Sequence, residues 1–284
     1  MDASVDVVIV TYGGGENLAG CVDAVRGQGA IVGRVVVIDN ASPDDTAARA
    51  DALGGVEVVR NPINVGYAAA MNQGFAATRA PYLLSLNADC VLGAGYLSAG
   101  VDALAAAPRV AAVTGVLRLP DGRIDSSGIA LDGALRAHDR DRHATTASTG
   151  DPFGVSGAAA VWRRDALASL GPKPWWEWLF VYWDDVEIAY RLRAAGWTFA
   201  CVASATATHA RGSDSADADF VESQSLRNRL ATIARHRGWA GLLAPRAAAY
   251  TGYTMTRLAL RHPSALRRAA PLRAVRTGLA QRVQ

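Results

Sequence analysis

The sequence has little cysteine: the chain of 284 residues holds three, Cys21, Cys90 and Cys201. They are far apart and odd in number, so they form neither the spacing of a metal site nor a disulfide framework. A chain without disulfides is typical of a reducing compartment. Residues 1–6 carry acids and no basic group, which predicts that they are not a secretory signal. We therefore expect a cytoplasmic protein.

The sequence also lacks a long uninterrupted hydrophobic run. The most apolar late stretch, residues 241–260, contains Pro245, Arg246 and Arg257. A helix spanning a bilayer there would bury charge in hydrocarbon, which excludes this stretch as a membrane span. Peripheral contact with the inner face of the membrane is left open by this argument.

Acidic residues are absent from residues 223–284, which hold 12 arginines and sum to +12, whereas residues 1–222 sum to −9. A segment this basic suggests a polyanionic partner such as phosphate, nucleic acid or an anionic membrane. The alternative is that the arginines simply lie in water. Because no recognised nucleic-acid module accompanies the arginines, we expect no nucleic-acid partner.

Lysine is almost absent as well, with Lys173 the only one. A nucleotidyltransferase, one candidate function, would be expected to carry a phosphate loop rich in glycine and lysine near its N-terminus. The glycine turn at residues 13–15 fits no register of the dinucleotide-binding pattern G-x-G-x-x-G, because positions 16, 17 and 18 are not glycine. Both absences weaken these two nucleotide-binding classes.

Half of the residues are hydrophobic, which is enough for a substantial core. The first 120 residues alternate strand-like and helical patterns, with strands predicted at 5–10, 34–39, 56–59 and 81–86 and helices at 16–28, 65–79 and 94–107. This alternation predicts an α/β fold with a mostly parallel sheet flanked by helices. Ligands bind at the carboxyl ends of such strands, and three polar clusters stand there: Thr11-Tyr12, Asp39-Asn40 and Asn87-Ala88-Asp89.

The pattern changes after residue 110. The later sequence predicts a strand at 110–119, a returning hairpin strand at 123–131, a polar loop at 136–149, a helix at 184–195, a strand at 198–202 and a helix at 216–236. Helical pieces at 258–283 are expected to break at Pro263 and Pro271.

Each polar cluster permits a functional and a plain structural interpretation. Asp39 can accept from a base or a ribose hydroxyl; the plain alternative is that Ser42 or Asp44 only caps the next helix, and both can hold at once with Ser42 as the cap. Asn64 and Gly66 suit a turn whose N–H groups meet an anion or a base, or an ordinary loop. Asp89 suits a divalent cation that bridges phosphates, or a simple turn.

The strongest cluster is the acid pair Asp184-Asp185 at the start of a predicted helix, with four tryptophans nearby. A carboxylate can take a hydroxyl proton, and aromatic rings offer flat apolar faces to a sugar. Acids at a helix N-terminus also serve as caps, and tryptophans are equally typical of cores and of membrane interfaces. His209 and Arg211 follow a short strand and suit a metal ligand and a phosphate contact, although a lone histidine is more often structural.

Taken in order, these residues resemble the inverting family 2 glycosyltransferases of the GT-A fold, especially the bacterial branch of rhamnosyltransferases and galactofuranosyltransferases. The resemblance covers roughly residues 5–237. The matching segments are residues 8–12, 37–42, 64–67 with Asn72, 86–89, 156–159 before Arg163-Arg164, 183–187, 209–213 and 227–229. The implied organisation is a GT-A domain over residues 1–238 and a basic helical C-terminal extension over residues 239–284.

The resemblance also implies roles for individual residues. Asp185 would be the general base, with Asp184 beside it, and Asp89 and His209 would bind a divalent metal, Mg²⁺ or Mn²⁺. The residues implied to bind the nucleotide-sugar donor are Thr11, Tyr12, Asp39, Asn64, Gly66, Asn72, Asn87, Ala88, Gly157 and Arg211. Asn87 departs from the family, which usually has an acid there, and residues 170–176 replace its usual stretch before the catalytic acids, so the acceptor does not carry over.

The expected function is therefore inverting transfer of a sugar from a nucleotide diphosphate donor to an acceptor hydroxyl. The branch favours dTDP-rhamnose, and UDP-sugars such as UDP-galactofuranose stay open. The acceptor is a lipid-linked glycan or a small molecule, and residues 239–284 either contact a membrane or order a homo-oligomer. The alternatives are a nucleotidyltransferase and a non-catalytic protein that binds sugar nucleotides or glycans, for which Asn87 is the only support.

Overall fold

The computed structural model describes residues 3–148, 150–211 and 218–282. Its first part alternates strands and helices as predicted: β1 (Val5–Thr11), α1 (Gly15–Arg26), β2 (Val32–Asp39), α2 (Thr46–Ala52), β3 (Glu57–Arg60), α3 (Tyr67–Ala77) and β4 (Tyr82–Asn87). The β-branched run of β1 is buried almost throughout, because helices cover both faces of the sheet. The predicted α/β organisation is confirmed.

The later elements begin at the edge of the same sheet. They are β5 (Cys90–Leu92), α4 (Tyr96–Ala106), β6 (Val110–Arg118), β7 (Ile124–Ser126), β8 (Ile129–Leu131), β9 (Ala137–Asp139), β10 (Ala159–Arg163), α5 (Arg164–Ala168), α6 (Asp184–Ala194) and β11 (Thr198–His209). Four helices follow: α7 (Ala218–Leu243), α8 (Pro245–Arg261), α9 (Pro263–Ala269) and α10 (Pro271–Ala280). The last two begin at the prolines where the sequence predicts breaks, since proline suits the first turn of a helix.

The main sheet has the strand order β3-β2-β1-β4-β10-β6-β11-β5, with β7 beside β6. Strands β3, β2, β1 and β4 are parallel, β10 is antiparallel to both of its neighbours, and β11 is parallel to β6. The register sets Thr11 opposite Asp39 and Val10 opposite Asn87. The polar ends of β1, β2 and β4 therefore meet at one rim of the sheet, as the parallel arrangement predicts.

Two apolar layers enclose this sheet. One contains Leu18 of α1 and Leu104 of α4, and the other contains Met71 of α3, Leu167 of α5 and Ile188 of α6. All five side chains are fully buried. Helices α1 and α4 are thus packed on one face of the sheet, and α3, α5 and α6 are packed on the other.

Several segments differ from the sequence-based expectation: β5, α5 and most of α8 are not predicted, and three further differences concern β9, β11 and β10. The stretch predicted as a loop at 136–149 contains β9, which pairs with β8 in a separate hairpin. The strand predicted to end at 202 continues, after an irregularity between Val202 and Thr206, as far as His209. Strand β10 lies where the sequence predicts none, because its alanines have little β preference and only packing between β4 and β6 makes the segment a strand.

The C-terminal helices pack against α7 around Leu226, Leu230 and Leu258. Helix α7 is interrupted at Gly238, whose φ is 58° and ψ −154°. The interruption coincides with the expected boundary between residues 1–238 and 239–284, which stays a prediction. Within the described ranges, no helix is both long and apolar enough to cross a membrane.

Candidate active site

The turn before α3 is built by asparagine side chains. The Asn40 amide donates to Asn64 Oδ1 at 2.9 Å, and Asn40 Oδ1 accepts from the Asn61 side chain at 3.0 Å and from the Val65 N–H at 3.1 Å. Asn64 Oδ1 also accepts the Gly66 N–H at 2.9 Å. The turn with Asn64 and Gly66, two residues predicted to bind the donor, is thus connected to the end of β2 by hydrogen bonds of Asn40. Asn40 itself is not among the residues implied to bind the donor.

Asp39 ends β2 with a carboxylate that is 4% exposed. Its Oδ1 has no hydrogen-bond partner among the described residues. A buried oxygen without a partner is costly, and the N–H or hydroxyl of a ligand would satisfy it. Thr11 lies opposite in β1 with its hydroxyl donating to the Gly13 carbonyl at 2.9 Å, and the side chain of Tyr12 is exposed. Asp39, one of the residues predicted to bind the donor, therefore offers an unsatisfied acceptor opposite Thr11.

The loop after β1 is tied to the loop after β2. The Ser42 hydroxyl accepts the Gly13 N–H at 2.9 Å, and the Asp44 carboxylate accepts N–H groups of Gly14 at 3.2 Å and Thr46 at 3.1 Å. Of the two residues considered as a cap of α2, Asp44 receives the N–H of the first helical residue, whereas Ser42 connects the two loops.

Gly66 and Gly157 approach Tyr67 and Phe180 closely. Gly66 has a φ of 87°, and a Cβ there would lie 2.5 Å from the Phe180 ring. The Tyr67 hydroxyl donates to the Gly157 carbonyl at 3.4 Å. Burial, and then the nearby carboxylates of Asp184 and Asp185, raise the pKa of Tyr67 well above its ordinary value. The donor-side turn and the acid pair therefore meet at Tyr67.

Asn72 and Asn87 are held by backbone groups. The Asn72 amide donates to the Trp175 carbonyl at 2.9 Å, and its oxygen accepts the Trp175 N–H at 3.0 Å. Asn72 therefore joins α3 to the tryptophan segment. The Asn87 N–H donates to the Ala158 carbonyl at 2.9 Å, and Ala88 is buried beside it. This contact brings the segment before β10 to the same rim.

Asp89 and His209 come together as predicted. The antiparallel pairing of β11 with β5 sets His209 opposite Cys90, and His209 Nε2 lies 3.3 Å from Asp89 Oδ1. Ligand atoms of Asp89, Cys90 and His209 lie within 4.8 Å of one another. Burial, and then the Asp89 charge, raise the pKa of Cys90 well above its usual value. Because Mg²⁺ and Mn²⁺ prefer harder ligands than a thiol, the carboxylate and the imidazole are the better candidate ligands.

Asp125, a residue without a predicted role, stands behind His209. It is fully buried on β7, and its Oδ2 lies 2.8 Å from His209 Nδ1. Arg211 Nε donates to Asp125 Oδ1 at 2.5 Å, and Arg211 also pairs with Asp139 of β9 at 2.5 Å. Burial by itself lowers the pKa of His209, but hydrogen bonds to Asp125 and Asp89 raise it to about 9. The Arg211 guanidinium, predicted to contact phosphate, is thus held by two carboxylates.

No pattern in the sequence points to Asp125, because it lies in a short hairpin strand without a motif. The further residues of the predicted His209 segment, Gly212 and Ser213, lie outside the described residues.

The acid pair begins α6 and has an unusual titration. Burial raises the pKa of Asp184 to about 6. Burial, then Asp184, and then Asp139 raise the pKa of Asp185 well above its ordinary value. Asp185 Oδ1 accepts the Val186 N–H at 2.8 Å, and its side chain remains partly exposed. A partly exposed carboxylate with a raised pKa is suited to accept a proton.

Most of the neighbouring tryptophans are structural. Trp175 is 3% exposed and packs edge-on against Trp162, and Trp176 stacks on Trp178 with ring centroids 5.4 Å apart. Only Trp183 adjoins the acids, where it packs on the cluster around Val186. The core interpretation therefore holds for Trp175, whereas Trp176 and Trp178 are partly buried and pack against the cluster around Leu226.

Glu187, one turn into α6, is fully buried among charges on α6 and α7. It pairs with Arg191 at 2.8 Å, with Arg235 at 2.9 Å and with His236 at 3.2 Å. Burial by itself raises the pKa of Glu187, but the charge of Arg191 and the hydrogen bond from His236 lower it below its usual value. This group fixes α6 to α7 behind the acids. The one signal in the sequence is the spacing of Glu187 and Arg191 on one helix face.

Sequence comparison finds relatives over most of the chain. Residues 6–171 match the model of Glycosyl transferase family 2. Over 268 residues the chain is 28% identical to the N-acetylglucosaminyl-diphospho-decaprenol L-rhamnosyltransferase of Mycobacterium tuberculosis. This alignment covers 82% of the present chain and 85% of the rhamnosyltransferase.

Two solved structures resemble the fold. GalNAc-T7 with UDP, GalNAc and Mn²⁺ superposes with a TM-score of 0.68 at 17% identity, over 87% of this chain and 51% of that one. The chain thus spans about half the length of GalNAc-T7. The mannosyltransferase PcManGT of Pyrobaculum calidifontis, with GDP-Man and Mn²⁺, gives 0.61 at 20% identity, over 98% and 83% of the two chains. These likenesses confirm the predicted GT-A fold.

Proposed function

The chain belongs to glycosyl transferase family 2, and from this premise we propose that it moves a sugar from a nucleoside diphosphate donor to an acceptor hydroxyl with inversion. The general activity, glycosyl transfer, follows from the family and the relatives. The proposal of a nucleoside diphosphate donor and an inverting transfer is supported by three features that lie together at one rim of the sheet. They are the unpartnered Asp39 oxygen, the Asp89–His209 pair and, joined to them through Tyr67, the acids that begin α6.

The donor's nucleoside would lie against Asp39 and Thr11. The free Oδ1 of Asp39 would accept an N–H of the base or a ribose hydroxyl, and the turn fixed by Asn40 and Asn64 would present backbone groups to it. This assignment keeps the predicted donor roles for the rim residues. It leaves Asn72 as the residue that holds Trp175.

The side chains of Asp89 and His209 fit a divalent metal. An imidazole whose second nitrogen contacts a buried carboxylate, as His209 contacts Asp125, is the usual arrangement around a metal ligand. Asn87 leaves one carboxylate in the ligand set, and the diphosphate oxygens would complete it. When bound, the metal neutralises charge on the departing diphosphate. Both solved relatives carry Mn²⁺ with a nucleotide or nucleotide sugar.

Asp185 would act as the base. It takes the proton of the acceptor hydroxyl as that oxygen bonds to the anomeric carbon, and the bond from this carbon to the diphosphate oxygen breaks. The nucleoside diphosphate leaves on the side opposite the attack, which inverts the configuration. Asp184, deeper in the protein, keeps the pKa of its neighbour raised.

The donor can be identified by thermal stabilisation across a panel of sugar nucleotides with Mg²⁺ or Mn²⁺. A donor at about 100 times its Kd should stabilise the fold by about 2.7 kcal/mol, which corresponds to a rise in Tm of roughly 5 °C. We expect the largest rise with dTDP-rhamnose, because a rhamnosyltransferase is among the relatives. If no sugar nucleotide raises Tm, the proposed function is wrong.

Asp39→Ala should weaken binding of the sugar nucleotide that stabilises the wild type by at least about tenfold, because a hydrogen bond to a charged group is lost. Asp23→Ala is the matched control: it removes an exposed carboxylate that pairs with Arg26 on α1. Equal donor binding in both variants would remove Asp39 from the donor site.

The acceptor we propose is a lipid-linked sugar diphosphate, since the mycobacterial relative is named for such an acceptor. The C-terminal helices offer a surface for its membrane. Trp239, Leu243 and Leu272 are 58%, 69% and 80% exposed. An apolar groove of about 560 Å³ runs among α7–α10, with Trp239, Met255, Leu266, Arg267 and Leu272 in its lining.

The charge around this surface favours an anionic lipid bilayer as the occupant. Residues 239–284 hold eight arginines and no acid, and among these arginines Arg257 and Arg268 pair with Glu222 and Asp219 of α7. The remaining positive charge would repel the same face of a second copy. Exposed apolar side chains with arginines at their edge are typical of segments that lie in a membrane interface.

Sedimentation with anionic vesicles tests this surface. Arg267→Gln with Arg273→Gln should weaken vesicle binding by roughly 30-fold, at about 1 kcal/mol for each arginine near an anionic surface. Arg34→Gln with Arg123→Gln changes the net charge equally outside residues 239–284 and should change binding little. Equal loss in the two double variants, or wild-type binding that is the same to neutral vesicles, would contradict the membrane surface.

A further inference from the structure

The five residues that precede the acid pair have an unfavourable backbone. We call residues 179–183 the approach segment. Phe180, Tyr182 and Trp183 have φ values of 66°, 67° and 67°, and none of them is glycine. Side chains larger than glycine rarely adopt positive φ, so such a segment persists only where its surroundings hold it.

One buried side chain makes most of the hydrogen bonds that hold this segment from behind. Asn228 of α7 is fully buried, and its Nδ2 lies 2.8 Å from each of the carbonyls of Leu179, Val181 and Tyr182. One turn earlier on α7, Gln224 donates to the Leu179 carbonyl at 3.1 Å. Because an amide group has two hydrogens, the three carbonyls share them, and the bend of the segment wraps around this one nitrogen.

On the side away from α7, the approach segment contacts the donor-side turn before α3 and leads into the acid pair of α6. The Phe180 carbonyl accepts the Ala68 N–H at 3.1 Å, and its ring occupies the space that Gly66 leaves. Trp183 is the residue before the first turn of α6, so its backbone sets the direction in which Asp184 and Asp185 leave the segment. A shift of this segment would therefore move the acids relative to the donor-side turn.

We propose that Asn228 is a positioning residue of the transfer reaction: by holding the carbonyls of the approach segment, it fixes the placement of Asp185 relative to the donor. The inference rests on the proposed role of Asp185 as base. It gives α7 a part in catalysis although Asn228 has no contact with the acids themselves.

The test is Asn228→Asp, which keeps the shape of the side chain and replaces its N–H donor by an oxygen that repels the three carbonyls. Because a misplacement of about 1 Å can cost about a hundredfold in rate, we expect kcat to fall by roughly 10- to 100-fold. The donor KM and the Kd of the nucleoside diphosphate should stay within about threefold of wild type. Amide hydrogen exchange should accelerate over residues 179–185 and stay unchanged in the core strands.

Thr232→Val is the matched control on the same helix. Thr232 is fully buried and its hydroxyl has no partner among the described residues, so this variant should keep wild-type turnover and exchange. Asn228→Ala, which removes the donor without adding a charge, should reproduce the loss of turnover.

Four outcomes would overturn the inference. They are turnover within about threefold of wild type, unchanged exchange over residues 179–185, a parallel loss of turnover, donor affinity and Tm, and failure of both Asn228 variants to fold. The last two would make Asn228 a purely structural residue. A wild-type protein that transfers no sugar would instead contradict the proposed function, and the exchange measurement would still decide whether Asn228 holds the segment.

Discussion

Asp185→Asn is expected to lower turnover by about 10²- to 10⁴-fold, the usual contribution of a general base. The amide keeps the size of the side chain but cannot take the acceptor proton. The donor should still bind, because the residues proposed to hold it lie on β1, β2 and the turn before α3. The measurement is kcat at saturating donor and acceptor, with the Kd of the donor from calorimetry.

Asp184→Asn is the matched control, since it makes the same change one residue away. The negative charge of Asp184 raises the pKa of Asp185, so removing that charge should lower it. A base must be deprotonated to act, so wild-type turnover should rise with pH through the titration of the pair, above the range of an ordinary aspartate near pH 4. In Asp184→Asn this rise should move to lower pH, with turnover within about tenfold of wild type.

The pair of variants separates the two acids. If Asp184→Asn abolishes turnover and Asp185→Asn does not, Asp184 is the base. If neither variant loses turnover, the acids serve only to begin α6.

The second large effect concerns the metal ligands. Asp89→Ala is expected to lower turnover by roughly a thousandfold, because a bound metal supplies several kcal/mol of charge stabilisation. Chelation of the wild-type protein should have a similar effect that added Mn²⁺ or Mg²⁺ reverses. A direct readout is the Kd of Mn²⁺ in the presence of the nucleoside diphosphate, which should rise in the variant without any assay of transfer.

Two variants of residues beside Asp89 and His209 test which side chains bind the metal. Asp125→Asn should weaken metal affinity by about 10- to 100-fold, the usual effect of losing the partner that orients a ligand histidine. Cys90→Ala is the control inside the same cluster, because a thiol is a softer ligand than Mg²⁺ or Mn²⁺ prefers. A loss of metal affinity in Cys90→Ala as large as in Asp89→Ala would make the thiol a ligand, and turnover insensitive to chelation would remove the metal from the proposal.

Local patterns predicted most of the first half of the fold. The runs that form β1, β2 and β4 are apolar enough to be buried on both faces, so their periodicity shows directly in the sequence. The ends of these strands then share one rim because parallel strands run in one direction. For this reason Thr11, Asp39 and Asp89 stand out as candidate site residues from the sequence alone.

Contacts between segments distant in sequence escape such reasoning. Asp125 lies 84 positions from His209 and meets it only because β7 and β11 both flank β6. Asn228 lies 46 positions from Tyr182 and meets it only because α7 packs behind α6. Asp125 stands in no local pattern. Asn228 lies in the family-like segment 227–229, but nothing in the local sequence reveals which backbone groups it holds.

The sequence by itself determined the α/β class, the rim of polar strand ends and the basic, acid-free C-terminal segment, since composition and periodicity are properties of neighbouring residues. Only the tertiary structure decided which side chains are satisfied by the protein and which are left for a ligand. Asn72 and Asp39 look equally suited to a donor in the sequence, yet Asn72 is bonded to Trp175 and Asp39 keeps an unpartnered oxygen. The physical reason is that a buried polar atom needs a hydrogen-bond partner, and the fold alone fixes where that partner stands.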